Sequence, residues 1–157
     1  MAGSNAITVS RVIPAPGEAV WRVLDDTSRY AEWVPQTLEV TRSDGEAALG
    51  ATYDERNRVV GPIKGSSHWR VVERDPGRYS LHEGEGLPLV KNVTLEIRTQ
   101  AAGESTEVTV TLRYDTTLGP LGSLLEKLSH SQTVAAQEES LANLERVVAA
   151  APPQTAA

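Results

Sequence analysis

The chain has 157 residues, a formal net charge of -6 and no cysteine. That length builds one domain with a real core and is too short for two. The missing thiols exclude a disulfide framework and a cysteine nucleophile, and they fit a reducing compartment. The acidic balance argues against the clustered basic face that grips a phosphate backbone, so no nucleic-acid partner is expected.

Met1 to Ala6 is small and polar, without the basic start and apolar run of a signal peptide, and no later stretch has the length and apolarity of a membrane span. A soluble, cytoplasmic protein is expected, with one domain over residues 6–151 and disordered tails at 1–5 and 152–157.

Ala6 to Ile13 alternates Ile7 and Val9 against Thr8 and Ser10, the period of a half-buried strand, and Pro14-Ala15-Pro16 stops it. Val20, Trp21, Val23 and Leu24 then cluster on a helical face, with Glu18 in the first turn where the helix dipole favours an acid. Asp25, Asp26, Thr27 and Ser28 offer caps for a second short helix, Arg29 to Trp33, ended by Pro35. Trp21, Tyr30 and Trp33 are expected to pack these helices on the sheet.

Strand signals dominate the next eighty residues. Thr37 to Arg42 is followed by the Ser43-Asp44-Gly45 turn, and Ala51 to Val60 by Gly61-Pro62. In the latter strand Tyr53 and Val59 share a phase with Glu55 and Asn57. Period two therefore carries a carboxylate and an amide inward with the apolar groups, and inward polar groups need partners or a ligand. Ile63 to Arg74 sets Ser67, Trp69 and Val71 on one face, and Asp75-Pro76-Gly77 turns it into Arg78 to Glu85. In that strand Tyr79, Leu81 and Glu83 are expected inward and His82 outward. Lys91 to Thr99 and Glu107 to Thr116 each show one apolar and one wet face, as in an antiparallel sheet covered on one side.

Pro120 to Ala151 reads as one long amphipathic helix, with proline inside its start and Pro152-Pro153 forbidding continuation. Leu121, Leu124, Leu125, Leu128, Gln132 and Ala135 form a stripe in its first half. Val134, Leu141, Leu144 and Val148 form another that does not line up with the first. The mismatch predicts a break near Ser129 to Thr133, or a second stripe that meets a different partner such as a twin subunit. An α+β class follows: a curved antiparallel sheet of about six to seven strands, two short helices after the first strand, and a terminal helix over a hollow.

The run Ile13-Pro14-Ala15-Pro16, Val20-Trp21, Leu24-Asp25-Asp26 and Tyr30-Ala31-Glu32-Trp33-Val34-Pro35 resembles the opening of the SRPBCC or START-like superfamily, in particular its polyketide cyclase/dehydrase branch. The likeness continues through Gly50, Trp69-Arg70-Val71-Val72-Glu73 with Asp75-Pro76-Gly77-Arg78, and Leu118-Gly119-Pro120-Leu121-Gly122. It covers roughly Ile7 to Val148 in the same element order. The resemblance implies a helix-grip fold with an internal cavity for lipids, polyketides or other apolar ligands. It implies no universal catalytic motif.

The expected cavity lining is Tyr53, Glu55, Asn57, Ser67, Trp69, Tyr79, Leu81, Glu83, Leu95, Leu112, Tyr114, Leu124, Leu128 and Gln132. Glu55 and Glu83 are the candidate acid/base residues, since a desolvated carboxyl titrates closer to neutrality; the alternative is that both sit at strand ends in water. The absence of phenylalanine leaves every aromatic ring with a polar tip, able to stack on and bond to a planar oxygenated ligand, or else reflects composition alone. His68, His82 and His130 lack ligand spacing, so neither a metal nor another cofactor is expected. The expected partner is an apolar or aromatic small molecule, held by a monomer or homodimer. Three functions stand: a binding protein for such a molecule, a cyclase/dehydrase-type enzyme, or an interaction module using the second helical stripe.

Overall fold

The computed structural model describes residues 3–151. Seven antiparallel strands form one sheet: β1 (Asn5–Ile13), β2 (Thr37–Ser43), β3 (Thr52–Val60), β4 (Ile63–Asp75), β5 (Tyr79–Glu85), β6 (Val90–Ala102) and β7 (Ser105–Thr116). Their spatial order is β1-β7-β6-β5-β4-β3-β2, so the first two strands occupy opposite edges. The chain crosses between those edges through α1 (Gly17–Leu24), a 3₁₀ turn (Thr27–Arg29) and α2 (Tyr30–Trp33). Asp26 caps the turn by accepting from the Ser28 amide, as its position before a polar run suggests.

The structured chain begins earlier than the alternation alone indicates. Asn5 opens β1 opposite Tyr114, and the Ser4 amide and hydroxyl both donate to Asp115 Oδ1 at 2.7 Å, so residues 4 and 5 are not a tail. Residues 1, 2 and 152–157 lie outside the described residues.

The terminal helix, α3 (Pro120–Ala150), is continuous. The expected break is absent: Ser129 and Thr133 stay in the helix, their hydroxyls satisfied by bonding back to the Leu125 and Ser129 carbonyls at 2.8 and 3.1 Å. Ala151 ends it in an extended conformation, as a residue ahead of a proline should. The second stripe faces the protein, and of the leucines in the first only Leu125 turns toward it. Leu141, Leu144 and Val148 are buried in the core, whereas Leu121, Leu124 and Leu128 are 63%, 53% and 71% exposed. Gly122 permits the close approach at the helix start: a Cβ there would lie 2.8 Å from the Thr116 hydroxyl.

The close neighbours of α3 are β1, β7, α1 and α2. Trp21, Val23 and Leu24 of α1 and Trp33 of α2 are buried in the same core as Ile7, Val108 and Leu144. The concave floor formed by the middle strands is thus left partly unfilled beneath the helix. Among the described residues, no helix is long and apolar enough to cross a membrane.

Candidate functional site

A cavity of about 170 Å³ lies between this floor and the first half of α3. It is larger than the ~150 Å³ void known to take up a benzene-sized guest. Its floor is Tyr53, Glu55 and Asn57 of β3, Trp69 of β4, Leu95 of β6 and Val110, Leu112 and Tyr114 of β7. Tyr30 and Trp33 of α2 close one end, and Leu125, Glu126, Ser129, Thr133, Gln137 and Ser140 of α3 form the roof. Arg58 and Leu118, both exposed, stand at the rim.

The polar part of the floor is a directional chain. Trp69 Nε1 donates to Ser67 Oγ at 2.7 Å, Ser67 donates to Asn57 Oδ1 at 2.6 Å, and Asn57 Nδ2 donates to Glu55 Oε2 at 2.8 Å. This order suits the groups, since an indole only donates and an amide carries one acceptor and one donor end. Thr37 of β2 also bonds to the Glu55 carboxyl. Glu55 is 4% exposed. Burial penalises its charged form more than the Asn57 and Thr37 bonds favour it, and its carboxyl is pushed up to about 7. A group titrating there can hold or release a proton at neutral pH.

Behind this wall, Tyr53 Oη lies 2.7 Å from His82 Nδ1, and His82 Nε2 lies 3.1 Å from Ser80 Oγ. His82 is fully buried, and desolvation pushes it down to about 4, so it is neutral at physiological pH. At the other side of the cavity, Tyr114 donates to Glu126 Oε1 at 3.2 Å, and His130 Nδ1 lies 3.0 Å from the same oxygen. Partial burial and the neighbouring Glu126 raise Tyr114 to about 12.

Of the residues expected in the lining, Tyr53, Glu55, Asn57, Trp69, Leu95, Leu112 and Tyr114 are brought together on the cavity wall. Ser67 is buried one step behind it, joining Asn57 to Trp69. Tyr79, Leu81 and Glu83 face the other side of the sheet. The reason is a bulge in β4: Glu73 pairs with Leu81, but Val71 pairs with His82, leaving one extra residue in β4. Without it Val71 would oppose Glu83; with it Ser80 and His82 turn inward. Tyr79 instead lies beneath the Arg98 guanidinium, 4.8 Å from the ring centre, and Glu83 is exposed opposite Arg70. The catalytic candidacy of Glu83 ends there.

Leu124, Leu128 and Gln132 are exposed on the outer face of α3 and reach nothing in the cavity. Extending the Val148, Leu144, Leu141 stripe toward the N-terminus in steps of three and four passes through Gln137, Thr133, Ser129, Glu126 and Gly122. That periodicity identifies the roof, but its residues are polar or small, and the leucines drew attention to the wrong side. Tyr30 and Trp33, expected only as packing, also line the cavity. Most aromatic tips are already engaged within the protein: Trp21 on Thr99, Tyr30 on the Leu24 carbonyl, Trp69 on Ser67 and Tyr53 on His82. In the cavity, Tyr30, Tyr53 and Trp69 therefore offer a ligand ring surface rather than hydrogen bonds.

A curved sheet closed over a long C-terminal helix, with an internal cavity between them, is the helix-grip α+β class. Residues 5–149 match the family described as polyketide cyclase / dehydrase and lipid transport. The chain belongs to that family, within the SRPBCC/START-like superfamily that its sequence resembles. Among solved structures, it is similar to TTHA0849 from Thermus thermophilus, at 26% identity and TM-score 0.74, covering 93% of this chain and 98% of that one. It is also similar to the Zhui aromatase/cyclase from Streptomyces sp. R1128, at 22% identity and TM-score 0.72, over 93% and 96% of the two chains. The fold likewise matches Ara h 8.0201 at 13% identity and TM-score 0.68, over 94% and 99%. Comparison with curated proteins gave no match.

Proposed function

We propose that this protein binds a hydrophobic or aromatic small molecule in the cavity between the sheet and α3. The observation that carries this reading is the cavity itself, a void walled by rings and aliphatic side chains with a short polar chain ending at Glu55. Apolar pockets with a few convergent polar groups are the usual form of a small-molecule site. Membership of a family described by polyketide cyclisation, dehydration and lipid transport supports it. Native mass spectrometry of freshly purified protein tests it: a retained or added apolar ligand should appear as a 1:1 complex. Filling the void with Leu112→Trp should abolish that complex, and its persistence in the variant would place the ligand elsewhere.

A second reading, an enzyme of the cyclase/dehydrase type, is favoured by Glu55. Its carboxyl titrates at about 7, and its remaining acceptor capacity belongs to a wall of the cavity. In such an enzyme Glu55 takes a proton from an activated carbon or hydroxyl of a folded chain and returns it elsewhere, while the surrounding rings fix the chain's shape. Turnover of a polyketide-like substrate, lost in Glu55→Gln with binding retained, is the expected signature. The interaction-module reading loses its surface, since Leu141, Leu144 and Val148 are spent on the core.

A further inference from the structure

The cavity's electrostatics narrow the chemistry of its ligand. Two carboxyl groups line it from opposite sides, Glu55 from the floor and Glu126 from the roof. Among the described residues, Arg58 is the one cationic side chain in the lining, and it is exposed at the rim. His130 approaches Glu126 from the outer side of the helix, with its own side chain 52% exposed. The interior therefore holds acidic groups without an interior counter-charge. Around Glu55 stand Tyr30, Tyr53 and Trp69: both tyrosines feel the glutamate's charge, and Tyr53 stacks on Trp69 with centroids 6.2 Å apart. With the Tyr30, Tyr53 and Trp69 tips bonded to protein, what these rings have left is their electron-rich surface.

Ring faces attract cations, and a buried carboxylate without a counter-charge is costly until one arrives. We infer that the cavity selects a lipophilic amine, an ammonium group on an apolar body, over a neutral analogue and over a carboxylic acid of the same size. This rests on the reading of the cavity as a ligand site. The ammonium sits at the Glu55 end among the rings, and the apolar body lies against Leu95, Val110 and Leu112. A fatty-acid carboxylate is disfavoured there because it would place a third acidic group in the same enclosed space.

Three ligands of one chain length test this: decylamine, decanol and decanoate, each displacing the uncharged fluorophore N-phenyl-1-naphthylamine at pH 8. Decylamine should displace it at a concentration at least tenfold below that of decanol, and decanol below that of decanoate. In Glu55→Gln the amine-to-alcohol ratio should fall to about one. Decanoate binding as tightly as the amine, or an unchanged ratio in a folded Glu55→Gln protein, would overturn the inference. The wild-type ranking decides the matter by itself if the variant does not fold. Equal displacement by all three would sink the amine preference and leave the cavity reading intact, whereas failure of the fluorophore to enter wild-type protein would sink both.

Discussion

Trp69 lies directly over Gly84, its partner across β4 and β5, so closely that a Cβ on residue 84 would sit 2.8 Å from the indole ring. A glycine inside a strand often marks such close approach. Here it seats the ring that forms part of the cavity floor and starts the chain of hydrogen bonds leading to Glu55. Gly84→Ala should force the indole outward, costing roughly 1–3 kcal/mol as overpacking does. The check is denaturant unfolding together with the tryptophan emission spectrum, which should shift as the Nε1 bond to Ser67 is lost.

The raised Glu55 carboxyl sets a pH dependence. Its folded pKa, about 7, exceeds the ordinary value of 4.5. Between those limits the folded state holds more protons than the unfolded one, so this group lowers stability as pH rises from 4.5 to 7. The full effect is about 3 kcal/mol at one pKa unit per 1.36 kcal/mol. Glu55→Gln should remove it and gain stability relative to wild type at pH 8, measured by urea unfolding across the range.

His82 acts in the opposite sense. Its pKa falls from 6.5 to about 4, so the unfolded state takes up the proton first and stability is lost as pH drops through that window. The two effects overlap between pH 4.5 and 6.5 and offset each other in the wild type. Glu55→Gln should expose a stability that climbs steeply from pH 4 to 6.5, and His82→Gln one that declines from pH 4.5 to 7. Parallel pH profiles for the two variants would contradict these assignments.

The orientation of α3 makes a contrast between leucines. Leu144→Ala removes a fully buried side chain and should cost about 2–5 kcal/mol. Leu128→Glu, on a residue 71% exposed, should change stability by no more than about 0.5 kcal/mol. Thermal unfolding of both variants measures the difference, and equal losses would mean that the helix is rotated from the orientation described.

Much of this architecture was legible in residue order. Alternation marked all seven strands, and the shared phase of Tyr53, Glu55 and Asn57 placed a carboxylate and an amide on the inner face of β3. What alternation could not carry was the extra residue in β4 between the Val71–His82 and Glu73–Leu81 pairs. A bulge leaves no period of its own, yet it turned His82 inward and Glu83 out. The α3 face was obscured for a different reason. Residues roofing a void need not be large or apolar, so Ser129, Thr133 and Glu126 gave no hydrophobic signal, while Leu121, Leu124 and Leu128 gave a strong one on the solvent side.

The most direct test of the ligand-binding cavity is a fluorescence titration of N-phenyl-1-naphthylamine against wild-type protein and Leu112→Trp. Saturable 1:1 enhancement in the wild type, lost when the new indole fills the void of an otherwise folded protein, is the predicted result. Equal enhancement in both proteins, or none in the wild type, would contradict it.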